Sequence, residues 1–447
     1  MTLTDEQEDG LLLLKEFIGA PTHYNKYFLL KGYAGTGKTT LVNAFINWYN
    51  TAKGKSLDDL VVTAPTNKAV RVLRRMSDIG GVEYKTLHSL LGLKHTINDK
   101  GQEVYQKDKS VNPSIYLYGC VIVDEASMID DEIFETLIND ARDCKIIFVG
   151  DPCQIPPVNH FHSKPMIKDV QEELGIEKFE LSTIIRQAET NPIITTSLGI
   201  RKGTFERGVS DDRDADGHGV VQLDIKDKER VYDLIKENFC GPEFANNPDF
   251  AKVIAWRNKT VDSFNEVIRS FLYYRGVNRV VQGEKLILNR PIMEGSGKKA
   301  KPVLFVNDDL VVTKVSVGES NYFAKKLKYY DCTVERVYDD AAAEFNIRIL
   351  HEDSDKRYQM LLNQLKNMAL STKKAKKGMA WKAYYDFMSN FAQTSYNYAI
   401  TCHKSQGSTY NNAFVCYTDI AANTKIVEMQ RILYTAVTRP SDTLFIL

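Results

Sequence analysis

The sequence predicts an α/β fold with two parallel-sheet domains, a small β-hairpin inserted in the first and a small β-barrel inserted in the second. Three patterns lead to this. Short apolar runs alternate with helically spaced apolar residues at both ends of the chain, which implies right-handed βαβ units on mainly parallel sheets. Near residues 88–117 the alternation gives way to a strand–turn–strand pattern. Between 283 and 392 the apolar runs turn β-rich. At about 100–200 residues per domain, a chain of 447 residues should hold two to four.

The first strand begins at Tyr27 and runs into Gly32-Tyr33-Ala34-Gly35-Thr36-Gly37-Lys38-Thr39. Leu41, Val42, Phe45 and Trp48 then share one helical face. Residues 60–63 read as a strand, 67–76 as a helix, 121–124 as a strand, 131–141 as a helix and 146–149 as a strand. From Thr96 to Tyr105 a hairpin is expected, with its turn near 99–101. A second α/β domain opens with a strand at 253–256, and Val261, Phe264, Ile268 and Leu272 follow at helical spacing. It resumes with strands at 398–402 and 413–417, a helix at 425–436 and a final strand at 444–447. The intervening barrel strands are 303–314, 332–337 and 345–350, followed by a polar helical segment from Lys373 to Phe391. The expected organisation is therefore 1–87 with 118–195, the insertion 88–117, 196–282 with 393–447, and the insertion 283–392.

A hydrophobic fraction of 43% and a charged fraction of 26% fit a soluble globular protein. No apolar run approaches the ~20 residues of a membrane span. The start of the chain, with Asp5, Glu6, Glu8 and Asp9, lacks the positive charge of a signal peptide, so a cytoplasmic protein is expected. The seven cysteines show no C-x-x-C spacing and read as reduced thiols rather than zinc ligands. A net charge of +0 argues against binding nucleic acid by bulk charge, but leaves room for a local groove.

The chemistry lies in the motifs. Gly32-x-x-x-x-Gly37-Lys38-Thr39 is a phosphate-binding loop in its proper place between strand and helix. Gly32, Gly35, Thr36 and Gly37 let the backbone wrap a phosphate, and the helix N-terminus starting with Thr39 and Thr40 adds N–H donors. Lys38 suits the β- and γ-phosphates, and the Thr39 hydroxyl suits Mg²⁺. Val121-Ile122-Val123-Asp124-Glu125 delivers two carboxylates at a strand's C-terminal end. There Asp124 would hold Mg²⁺ and Glu125 would act as general base. Phe148-Val149-Gly150-Asp151-Pro152-Cys153-Gln154 ends in a polar turn whose glutamine either contacts the γ-phosphate or lies on the surface.

Taken together, these motifs resemble superfamily 1 DNA helicases of the RecD/Dda type, whose phage members are the nearest match, and the resemblance spans nearly the whole chain. Thr63-Ala64-Pro65-Thr66-Asn67 and Thr86-Leu87-His88 match two DNA-contacting motifs. Gly150-Asp151-Pro152-x-Gln154-Ile155-Pro156-Pro157 matches the third ATPase motif. Thr401-x-His403-Lys404-Ser405-Gln406-Gly407 and Tyr434-Thr435-Ala436-Val437-Thr438-Arg439 match the two C-terminal ones, the most specific of the set. The resemblance implies two RecA-like domains, a pin at 88–117 and an SH3-like domain at 283–392. It implies ATP and Mg²⁺ as cofactors, single-stranded DNA and single-strand/duplex junctions as partners, and replication or single-strand-binding proteins as candidate protein partners.

By the same resemblance, Gln7 recognises adenine, the alternative being a surface glutamine on an amphipathic helix. Arg186 and Arg439 are arginine fingers, Gly407 borders the nucleotide, and Thr63, Pro65, Asn67, Thr86, His88, Thr401, His403 and Ser405 contact DNA. Ile97 or Tyr105 would meet the duplex end, unless the hairpin is merely exposed. Trp381, Tyr384 and Tyr385 would brace the pin or guide the strand, unless they pack on the barrel. The short first insertion favours the branch that moves 5′→3′, and the phage likeness points to replication or recombination in a host cytoplasm. Both halves of the ATP site lie in one chain, so a monomer suffices. The competing readings are an ATP-gated clamp or translocase on single strands, separable by strand displacement, and an RNA helicase, separable by comparing stimulation by DNA and RNA.

Overall fold

The computed structural model describes residues 3–447 apart from 53, 78, 98–101, 108–111, 158–159, 161, 184–190, 275, 296–300 and 338–342. Its first sheet has six parallel strands in the order Glu83–Thr86, Leu60–Ala64, Cys120–Val123, Lys145–Gly150, Tyr27–Gly32, Glu177–Leu181. Helices cover both faces, so the central strands are apolar at successive positions rather than alternating. Phe28, Leu30 and Val62 pack with Leu41 and Phe45 of the helix Lys38–Thr51 on one face. Leu29, Val121 and Phe148 pack with Ile133, Phe134 and Leu137 of the helix Asp131–Asp140 on the other. A cavity-forming truncation such as Phe148→Ala would cost about 3–5 kcal/mol.

The second sheet runs Ala399–Thr401, Ala251–Ala255, Tyr410–Val415, Pro440–Ile446, Gly219–Gln222, Ser210–Arg213. It is parallel except for its last strand, which pairs antiparallel with Gly219–Gln222. The final strand starts earlier than the apolar run 444–447 suggests, because Pro440 already pairs with Tyr410.

A third, antiparallel sheet has the order Glu344–Leu350, Lys325–Arg336, Asp309–Tyr322, Lys285–Leu288, Thr394–Tyr396. Its two long strands form a ribbon that reaches well beyond the expected barrel strands. The ribbon turns at Phe323 and Ala324, both at positive φ (47° and 60°), the conformation a two-residue hairpin of this hand requires. Two helices, Asp355–Ser371 and Lys374–Met388, support it where a single helical segment was expected. Tyr358, Leu361, Leu365 and Phe387 of this pair pack against Leu327 and Tyr329 of the ribbon. Trp381 is buried against Ala369 and Ala380, and Tyr384 and Tyr385 pack partly buried on the ribbon and its helices, in keeping with packing on the barrel.

The hairpin of the first insertion pairs Leu93–Ile97 with Glu103–Lys107. Its turn and the side chain of Ile97 lie outside the described residues. No helix among the described residues is long and apolar enough to cross a membrane, and all seven cysteines are free thiols.

Candidate active site

The strand Tyr27–Gly32 delivers the phosphate loop, and the helix starting at Lys38 closes it. Gly35 and Gly37 have φ of 83° and 77°, a region that favours glycine. At Gly32 an added Cβ would lie 2.6 Å from the Thr36 Oγ1, so a side chain there would collapse the cradle. Thr36 is fully buried and donates its hydroxyl to the Tyr33 carbonyl at 2.9 Å, which fixes the loop from inside. Lys38 Nζ donates to the carbonyls of Gly32 (2.7 Å) and Tyr33 (2.8 Å), across the mouth of the loop.

Gln7 is buried, not a surface residue. As the third residue of its helix it completes a capping box with Thr4, and its Nε2 donates to the Gly37 carbonyl at 3.2 Å. A side-chain amide has two donors and two acceptor sites. Gln7 therefore keeps one of each, the pair that the N7 and N6 groups of adenine match.

The strand Cys120–Val123 places Asp124 and Glu125 beside this loop. The Asp124 N–H donates to the Thr63 carbonyl at 2.8 Å, and Glu125 adopts φ 50°, which turns the chain sharply after the strand. Burial, and after it the neighbouring Glu125, push the Asp124 carboxyl up to about 7. Such a paired acid site favours a cation. Gln154 follows the strand Lys145–Gly150; it is 5% exposed, and its Oε1 has no hydrogen-bond partner among the described residues. An orphaned polar atom this deep points to a polar ligand.

Gln7, Gly35, Gly37, Lys38, Asp124, Glu125 and Gln154 line one side of a cavity of about 510 Å³, together with Thr39 and Thr40, whereas Gly32 and Thr36 stand behind that wall. The opposite wall comes from the second α/β domain: Gly407, Ser408, Thr409, Thr438 and Arg439. Arg439 is 6% exposed and held by the carbonyls of Thr435 (2.9 Å) and Ser408 (3.3 Å). Gly407 has φ 71°, a region that favours glycine, and lies beside Ala69, where an added Cβ would make an ordinary 3.5 Å contact. Arg186 lies outside the described residues.

A third wall, Ala69, Val72, Leu73 and Met76, belongs to the helix Asn67–Met76. Nothing in the motifs signals how this helix is held. Lys68 pairs with Asp309 at 2.8 Å and Arg71 with Asp308 at 2.6 Å, both acids lying at the start of the long ribbon. Asp308 is fully buried and also binds Arg336 at 3.0 Å. Asp309 accepts from Asn397 Nδ2 at 2.7 Å, and Asn397 in turn accepts from the buried Lys252. One polar junction thus ties the cavity wall to the barrel and to the second α/β domain.

The expected DNA-contacting residues divide into two groups. Thr63 and Ser405 are fully buried, and their hydroxyls are committed to the carbonyls of Ile122 (3.0 Å) and Cys402 (2.7 Å). Their side chains shape the turns from inside, which corrects the expectation that they face a ligand. Pro65, Asn67, Thr86, His88, Thr401 and His403 are partly exposed. Thr86 and Thr401 each cap a one-turn helix at the end of an edge strand, accepting from Ser89 N (3.2 Å) and Lys404 N (3.4 Å). Each turn carries a histidine two residues on. Burial lowers both His88 and His403 below the ordinary imidazole range. Tyr105 of the hairpin packs on His88 with ring centroids 4.1 Å apart, joining the insertion to the first turn.

Fold and site together define a P-loop nucleoside triphosphatase whose cavity is completed by a second α/β domain. Three family models tile the chain: an AAA domain over residues 15–222, a Dda helicase SH3 domain over 278–395 and a UvrD-like helicase C-terminal domain over 396–447. The ATP-dependent DNA helicase dda of Enterobacteria phage T4 is 27% identical, covering 98% of this chain and 97% of its own. An uncharacterised protein of Acanthamoeba polyphaga mimivirus is 26% identical over 96% of this chain and 97% of its own. The crystal structure of the Candida albicans Pif1 helicase shares the fold, with a TM-score of 0.53 at 16% identity over 100% of this chain and 94% of that one. Over nearly its whole length the chain is thus similar to superfamily 1 helicases of the Dda/Pif1 type.

Proposed function

We propose that this protein is an ATP-dependent DNA helicase that moves 5′→3′ along single-stranded DNA and separates the strands at a junction. The observation that carries the reading is the split cavity: Lys38, Asp124, Glu125 and Gln154 on one wall face Arg439 on the other. A site divided in this way is complete only when both walls close on one nucleotide, so turnover couples to relative motion of the walls. ATP suits the free donor and acceptor of Gln7, and Gly32, Gly35, Thr36, Gly37, Lys38 and Thr40 would cradle its phosphates. Thr39 and Asp124 would hold Mg²⁺, which, when bound, neutralises phosphate charge. Glu125 would take the proton of the attacking water, Gln154 would sense the γ-phosphate, and Arg439, with Arg186, would stabilise charge on the transferring group.

Pro65, Asn67, Thr86, His88, Thr401 and His403 would grip the strand, chiefly through sequence-independent contacts. The matched Thr-capped turns on the two sheets support an alternating grip. We assign 1–87 with 118–195 and 196–282 with 393–447 as the RecA-like domains, 88–117 as the pin and 283–392 as the SH3-like domain. The small hairpin insertion and the likeness to the dda helicase support the 5′→3′ reading, and the same likeness supports a role in phage-type replication or recombination as a monomer. ATP hydrolysis measured with and without oligo(dT) tests the reading. A DNA-stimulated rate lost in Lys38→Ala is expected, whereas equal rates with and without DNA, or stimulation by RNA alone, would contradict it.

A further inference from the structure

We propose that Tyr434, Thr435 and Gln406 are positioning residues for Gln154, clamping the turn that carries it at both ends. The inference rests on the helicase reading and deepens it. Gln154 lies between Asp151 and Ile155, and both neighbours are held from the second α/β domain. Asp151 is fully buried, and its Oδ2 accepts from the Tyr434 hydroxyl at 2.9 Å. Its Oδ1 accepts from Cys153 N at 2.9 Å, so the carboxylate shapes the turn itself. Ile155 N donates to Thr435 Oγ1 at 3.1 Å, and the Ile155 carbonyl accepts from Gln406 Nε2 at 3.0 Å. The Tyr434 hydroxyl also accepts from Ala34 N at 3.4 Å, so one atom touches the phosphate loop and the Gln154 turn together.

Every group in this clamp is buried or nearly so, which makes its bonds strong and its geometry narrow. Tyr434 and Thr435 belong to the helix Ile426–Val437, which ends just before Arg439, and Gln406 directly precedes Gly407. The elements that bring Arg439 and Gly407 to the cavity therefore also set where Gln154 stands. A shift of the second domain cannot leave Gln154 in place without breaking these bonds. The clamp makes the γ-phosphate contact and the arginine arrive together, so hydrolysis proceeds only in the closed arrangement.

The test compares Thr435→Val, which keeps shape but removes the acceptor, with Thr435→Ser, which restores it, and with Tyr434→Phe. Thermal midpoints, KM for ATP and DNA-stimulated kcat are measured for each. Misplacing a reacting group by ~1 Å can cost about 10²-fold in rate. A drop in kcat of about that size is expected in Thr435→Val and Tyr434→Phe, with KM for ATP within about twofold; the buried bond lost in each lowers the thermal midpoint only slightly, leaving the protein folded at the assay temperature, and Thr435→Ser should recover the rate. The clamp is overturned by unchanged kcat in both variants, by a loss that Thr435→Ser shares with Thr435→Val, or by losses that track a lowered thermal midpoint. Absence of DNA-stimulated hydrolysis in the wild type would instead overturn the helicase reading.

Discussion

Replacing Lys68 by Met removes the cation from the junction that ties the cavity wall to the barrel while keeping most of the side chain's bulk. Lys68 and Asp309 are 13% and 11% exposed and lie 2.8 Å apart. Burial alone would raise the Asp309 carboxyl, yet Lys68, and after it Lys252, hold it below the usual range. Deleting one partner of such a pair typically costs about 3–5 kcal/mol, because the other charge stays buried. Here the lower end applies. Asp309 keeps its bond from Asn397, and burial holds Lys252 down at about 8. With Lys68 gone, Lys252 loses a like charge and can serve Asp309 better, so a loss of about 3 kcal/mol is expected. The assay is a double-mutant cycle of Lys68→Met, Asp309→Asn and the pair, followed by thermal and denaturant unfolding. The two losses should overlap by about 0.5–3 kcal/mol, the range for residues in direct contact. Because the helix Asn67–Met76 lines the cavity, KM for ATP should rise as well. Strictly additive losses, or a Lys68→Met variant with wild-type stability and KM, would show that the pair does not hold the cavity wall.

Three further outcomes are expected. If Arg439 acts as proposed, Arg439→Ala should lower DNA-stimulated kcat by about 10³-fold or more, the size an arginine finger contributes, and Arg439→Lys should not restore it, because an ammonium lacks the planar fork; steady-state kinetics decide, and a loss under tenfold would make Arg439 structural. Glu125→Gln should keep nucleotide affinity while hydrolysis falls by about 10²–10⁴-fold, checked by fluorescent-nucleotide binding beside turnover. Because burial lowers His88 and His403, both are neutral above pH 6.5; the unfolded chain takes up their protons more readily, so their contribution to stability declines as pH falls below that value. Affinity for single-stranded DNA at fixed salt should accordingly be flat from pH 6.5 to 8, and tightening over that range that disappears in His403→Ala would contradict the assignment.

Where function depends on a contiguous pattern, the sequence was readable. Gly32 to Thr39, Asp124 with Glu125, and Thr435 to Arg439 each carry their chemistry in local order, and they meet in one cavity. The junction of Lys68, Arg71, Asp308 and Asp309 was not readable, because pairing across some 240 positions leaves no local periodicity. Gln7 shows the same limit: its place in a capping box is written in Thr4-x-x-Gln7, but its bond to Gly37 exists only once the first helix packs on the phosphate loop. Thr63 and Ser405 looked like ligand-facing hydroxyls, but a hydroxyl's partner depends on which carbonyl the fold brings near. The outer half of the ribbon, with Glu319, Ser320 and Asn321, is polar on both faces and so gave no strand signal. The helix Asp355–Ser371 did carry one, since Tyr358, Leu361, Leu362, Leu365 and Ala369 recur at helical spacing.

Directional strand separation driven by the split cavity is what distinguishes a helicase from a clamp or translocase. Duplexes bearing only a 5′ tail or only a 3′ tail, incubated with ATP and Mg²⁺, test it directly, with Lys38→Ala as control. Release from the 5′-tailed duplex alone, lost in Lys38→Ala, is the predicted result. Release from the 3′-tailed duplex would reverse the polarity, and DNA-stimulated hydrolysis with no release from either would leave a clamp or translocase in place of a helicase.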